Sequence, residues 1–111
     1  MHTAHRSAPL ILIGALLLGL SSAPAARASA QIAAKSGCSA CHAVNSKMIG
    51  PSFHDIALKY KGRADAPALL STQVRKGSTG VWGKLPMPAS DATKISDADL
   101  KTVIVWILKT P

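Results

Sequence analysis

Glutamate is missing from this 111-residue chain. Its acids are five aspartates, set against 13 lysines and arginines, so the formal net charge is +8. Such a balance disfavours a basic partner surface and points to an acidic one. The lysines are scattered, and this argues against nucleic acid. Cysteine is almost absent: Cys38 and Cys41 are the two present. They lie three apart, which leaves no other disulfide or cysteine cluster to build. A zinc site would need two more ligands beside such a pair, and His54 alone stands outside the motif in the expected mature chain. A thioredoxin-like redox pair would need a βαβ pattern, and no segment shows strand alternation. No internal repeat is present. Long apolar runs are lacking as well. The longest, Leu10 to Leu20, falls short of the roughly 20 residues that span a bilayer.

That run has another meaning. Met1 to Arg6 is a charged n-region, the run is an apolar h-region, and small residues follow. Together they read as a secretory signal peptide over residues 1–30, cleaved after Ala28 or Ala30. An uncleaved anchor is the alternative. Cleavage would leave a domain of about 81 residues (31–111), or 83 if it falls after Ala28, and no stable membrane insertion. Loss of Arg6 and Arg27 takes Lys+Arg from 13 to 11 against five acids, a net charge of +6. Export places the protein in the periplasm.

The two cysteines belong to Cys38-Ser39-Ala40-Cys41-His42. Two thiols three apart, with a histidine directly after the second, read as a c-type haem attachment site. The thiols reach the two vinyl groups on one edge of the porphyrin, and the imidazole then sits beneath the iron. One covalently bound haem c would also staple a chain too short to build a generous core.

The rest of the chain reads as short helices separated by loops. Gln31 to Ser36 forms a short helix ended by Gly37. Ser52 caps a helix from Phe53 to Lys61, with Phe53, Ile56, Ala57 and Tyr60 on one face. Asp65 caps the next, with Pro67 in its first turn, an apolar stripe of Leu69, Leu70 and Val74, and Gly77 at its end. Ser96 opens the last, where Leu100, Val103, Ile104 and Ile107 recur at helical spacing. Between them, residues 78–95 form a long loop marked by Gly80, Gly83, Pro86 and Pro88, and such loops are usually functional. Met87 lies in it, stiffened by proline on either side. That makes Met87 the second axial ligand to iron, opposite His42. Met48, six residues after His42, is badly placed for the other ring face and reads as core packing. His54 falls on the polar side of its helix.

At this point the chain resembles the small bacterial class I c-type cytochromes of the cytochrome c-551 type. The matching stretches are Gly37-Cys-Ser-Ala-Cys-His42, Lys47-Met-Ile-Gly-Pro51, Lys76-Gly-Ser-Thr-Gly-Val-Trp-Gly83, Pro86-Met-Pro88 and Val105-Trp-Ile107. The resemblance implies an all-α fold of about four short helices wrapped around one haem. It implies thioethers at Cys38 and Cys41, and iron ligation by His42 and Met87. It also implies that the Pro51 carbonyl accepts a hydrogen bond from the outer nitrogen of His42, and that the Trp82 indole reaches a haem propionate. Trp106 would pack between the terminal helices. Three departures stand out. Ala89-Ser90 replaces the family's Pro-Asn after the Met-Pro pair, and Ser90 stands where the asparagine supports the ligand sulfur. The connection from Met87 to the last helix is longer. Ala33 replaces a large aromatic, which predicts looser packing on Trp106.

The expected function is therefore one-electron transfer between redox partners of a respiratory or related chain, by a monomer and without enzymatic turnover. Partners of the implied kind are a cytochrome bc-type complex, a terminal oxidase or a nitrite reductase. A haem peroxidase with Met87 off the iron is one rival. A fixed redox-sensing subunit is another.

Overall fold

Alanine extends the first helix beyond the expected stretch. The computed structural model describes residues 23–111, and its first helix, α1, runs over Ala23–Lys35. That is longer than the expected stretch from Gln31. The added residues are Ala-Pro-Ala-Ala-Arg-Ala-Ser-Ala, and alanine has the highest helix propensity. α1 thus passes through both expected cleavage positions. The apolar run at residues 10–20 lies outside the described residues.

Gly37 ends α1 with φ at 85° and opens a 3-10 turn over Cys38–Ala40. The second helix, α2, covers Phe53–Lys59, and the Ser52 hydroxyl caps it by accepting from the Asp55 amide at 3.0 Å. It stops two residues short of Lys61, and Tyr60 forms its C-terminal cap. α3 covers Ala66–Lys76. Asp65 precedes it but does not cap it. Its backbone is already helical and its side chain is engaged elsewhere, by the Arg63 guanidinium at 2.7 and 3.1 Å. A charge-assisted fork two residues away outcompetes the local amide, and this pairing holds the Asp65 carboxyl below its usual pKa. α4 covers Asp97–Leu108, with the Ser96 hydroxyl accepting from the Asp99 amide. Asp97 and Asp99 in its first turn suit the helix dipole. Among the described residues no extended strand forms, apart from one antiparallel bridge between Ser78 and Met87.

The core lies along α4, which packs against each of the other three helices. Leu100, Val103, Ile104 and Ile107 are all buried, as the spacing predicts, and meet Phe53, Ile56 and Tyr60 from α2 and Leu70 from α3. A side chain of this size is worth roughly 1.5–3 kcal/mol when fully buried, so the α4 face contributes much of the stability. Ala33 is wholly buried. It belongs to the core cluster against which Trp106 packs. His54 is not free in solvent either. It is half-buried, and its Nδ1 sits 2.5 Å from the main-chain oxygen of Pro111, joining α2 to the segment after α4.

Candidate haem site

The attachment motif is shaped by its own backbone. The amides of Cys41 and His42 both donate to the Cys38 carbonyl, at 3.2 and 3.0 Å. This tight turn brings the two thiols and the imidazole onto one short piece of chain. Neither cysteine is disulfide-bonded, and each is partly buried. Burial pushes the Cys38 thiol up, with Cys41 a lesser contributor.

The loop after His42 folds back on the motif. Gly50 donates to the Cys41 carbonyl at 2.8 Å, and the amides of Phe53 and His54 donate to Ala43 and Val44 at 2.9 and 3.0 Å. This closure fixes the His42 ring on three sides. Its Nδ1 lies 2.7 Å from the Pro51 carbonyl, the partner that the resemblance implied. The ring stacks on Phe53 at 5.5 Å between centroids, and Phe53 in turn meets Trp106 edge-on at 5.3 Å. Gly50 lies against the remaining side, where an added Cβ would stand 2.5 Å from Cε1. A carbonyl can only accept, so Nδ1 is the donor here, and Nε2 is the ring nitrogen available to act as a ligand.

Met87 lies in the loop that follows α3, held by its main chain. Its amide and carbonyl exchange hydrogen bonds with Ser78 at 2.8 and 3.0 Å. Gly77, with φ at 76°, makes that approach possible, because a Cβ there would lie 2.7 Å from the Met87 carbonyl. Beyond Met87 the loop is anchored, not slack. The Ser90 amide donates to the Val74 carbonyl at 2.8 Å, and Ile95 is buried in the core. The longer connection folds as a turn around Asp91, whose carboxylate accepts from the Thr93 hydroxyl and amide. Those bonds hold its carboxyl below the usual range.

The surface around these segments fits a flat apolar cofactor. Among the described residues, six of the eight large apolar side chains that remain exposed lie in the loop after His42 and the loop that holds Met87: Val44, Met48, Ile49, Val81, Trp82 and Leu85. Met48 is among them at 47 % exposure, so it is not the core residue that its sequence suggested. It sits in a turn closed by its amide on Gly50 and points outward. Trp82 is not core filling either. It is partly exposed, with the Lys59 ammonium 5.1 Å from the ring centre. Among the described residues no three His, Cys, Asp or Glu side chains gather as a metal cluster. Sequence reasoning missed Arg75, whose guanidinium reaches the Ser90 carbonyl. It lies in the last turn of α3, and nothing local signals a partner 15 residues on.

With this geometry in place, comparison with known proteins is unambiguous. The cytochrome c family profile matches residues 26–111. Cytochrome c2 of Rubrivivax gelatinosus is 58 % identical over 82 residues, 74 % of this chain and 96 % of that protein. Cytochrome c-552 of Nitrosomonas europaea is 46 % identical, over 75 % of this chain and 79 % of that protein. The crystal structure of the Nitrosomonas europaea cytochrome c552 superposes with a TM-score of 0.68 at 44 % identity, covering 74 % of this chain and 99 % of that one. The chain belongs to the cytochrome c family, as a small all-α class I protein that carries covalently attached haem c and moves electrons without being an enzyme.

Proposed function

We propose that this protein is an exported, periplasmic one-electron carrier of a respiratory or related chain. Cys38 and Cys41 form the thioethers, and His42 and Met87 are the axial ligands. The observation that carries the reading is the His42 imidazole held by Pro51, Phe53 and Gly50, while the Ser78 bridge presents Met87. When bound, the haem supplies a one-electron couple between Fe(II) and Fe(III). The residues supply rigidity. The Pro51 carbonyl fixes the tautomer and aim of His42, and the Ser78 bridge fixes the backbone of Met87. With His42 and Met87 both holding the iron, no position would be left for substrate, which suits a carrier and not the peroxidase alternative. The exposed apolar side chains of the two loops exclude water from the cofactor's faces. The Trp82 indole is assigned to a propionate, with the Lys59 charge beside it. A red-end absorbance band of the oxidised protein, characteristic of sulfur bound to ferric iron, tests the ligand set. Fractionation of cells expressing the full chain tests the location, and finding all of it in the cytoplasm counts against export.

Gly50→Ala is expected to force the His42 ring from its seat, because its Cβ would meet the ring at 2.5 Å. Overpacking of this kind costs about 1–3 kcal/mol. Thermal unfolding should show a midpoint several degrees lower, and proton NMR of the imidazole should show a changed ring orientation.

Redox partners of opposite charge are expected to dock through the exposed Lys35, Lys47 and Lys84, which flank the haem-binding segments. Rate constants for electron transfer to an acidic partner should fall several-fold as the Debye length shrinks from about 10 Å at 0.1 M salt to about 3 Å at 1 M. A rate that is flat with salt for every partner would favour docking on apolar residues such as Val44, Met48 and Pro88. A bc-type complex, a terminal oxidase and a nitrite reductase are the partners to test by rapid mixing.

A further inference from the structure

The Met87 main chain is gripped by Ser78 through both its amide and its carbonyl, but a ligand loop held at one point can still swing. The second grip lies three residues on, at the Ser90 peptide. Its amide donates to the Val74 carbonyl at 2.8 Å, and its carbonyl accepts from Arg75 Nη1 at 3.1 Å. Val74 and Arg75 are neighbours in the last turn of α3, so both polar groups of Ser90 are tied to one rigid point. Arg75 also reaches forward, placing Nη2 2.6 Å from Asp97 Oδ1 at the start of α4. One guanidinium thus joins the end of α3, the descending arm of the Met87 loop and the head of α4. The two contacts are unequal. Asp97 is 91 % exposed, and such pairs contribute little. The Arg75 side chain is 23 % exposed, and its bond to the carbonyl is the shielded one, where loss of a charged donor costs more. A planar fork serves both partners at once, which a lysine cannot do.

We propose that Arg75 is a positioning residue for Met87, holding the loop through the Ser90 carbonyl so that the sulfur resists displacement. The proposal rests on the reading of Met87 as an iron ligand. It also separates the roles within Ser90: the main chain is what is held, and the hydroxyl does no work.

The test titrates imidazole into the oxidised, haem-loaded full chain and follows the red-end sulfur–iron band. Arg75→Gln should keep the band in buffer but lose half of it at about tenfold lower imidazole, the size expected from losing a charged hydrogen bond. Arg75→Lys should fall between Arg75→Gln and the parent. Ser90→Ala should titrate like the parent. Ala33→Gly, in α1 and outside the Met87 loop, should lower the thermal midpoint without moving the titration. An Arg75→Gln titration equal to the parent's overturns the proposal. So does an equal shift in Ala33→Gly, which would reduce the effect to general stability, or in Ser90→Ala, which would assign it to the hydroxyl. Met87→Ala is run alongside, and a band that survives it overturns the ligand reading itself, whatever Arg75 does.

Discussion

Replacing Met87 by histidine should lower the midpoint potential by a sizeable share of the roughly 0.8 V over which axial ligands tune haem. Thioether sulfur is neutral and soft and favours Fe(II), whereas a second imidazole stabilises Fe(III) better. The fold should survive, because the Ser78 bridge uses Met87 main-chain atoms alone and the thioethers and His42 still hold the haem. Met87→Ala should go further. The sixth position opens, the oxidised iron turns at least partly high-spin with water or an added ligand, and peroxidase activity appears while electron-carrier function falls. Met48→Leu is the matched control. Met48 is half-exposed on the turn after the motif, and its loss should leave the potential and the sulfur–iron band in place. Potentiometry and absorbance spectra of the three variants settle the assignment. The reverse pattern, with the band lost in Met48→Leu and kept in Met87→Ala, would assign the ligand to Met48.

Removing both thioether cysteines, as Cys38→Ala with Cys41→Ala, should leave an unfolded or molten chain. Domains of this size bury a modest share of their surface, and their net stability is small in any case. The apolar side chains of the two ligand loops, Leu85 and Ile49 above all, remain exposed and need a cofactor to cover them. The second half of the Met87 loop is better anchored, through Ser90 and the buried Ile95. Residual helix from α4 is therefore expected in circular dichroism even when the loops have lost their order. A sharp, cooperative thermal transition in the haem-free double variant would show that the helices pack without the cofactor.

The chain's own pattern already specified a great deal. The spacing of Cys38, Cys41 and His42 is local, and local geometry can be read from local sequence. The same holds for the Ser52 and Ser96 caps and for the buried stripe of α4, because caps and helical periodicity are set within a few residues. The Met87 loop was legible for a similar reason, since prolines and glycines mark where regular structure cannot continue. Competing local contacts and tertiary packing decided the rest. Asp65 has the composition of a cap, yet Arg63 takes its carboxylate. Met48 looks like filler for a core, yet the closure of its loop turns it outward. His54 reads as a solvated residue, yet its ring meets Pro111 at the other end of the domain. Arg75 carries no local mark of its contact with Ser90, because a hydrogen bond between residues 15 apart exists only once α3 and the loop are packed together. Short-range geometry is encoded in neighbouring residues, whereas the aim of a long polar side chain is settled by which acceptors the finished fold brings within its reach.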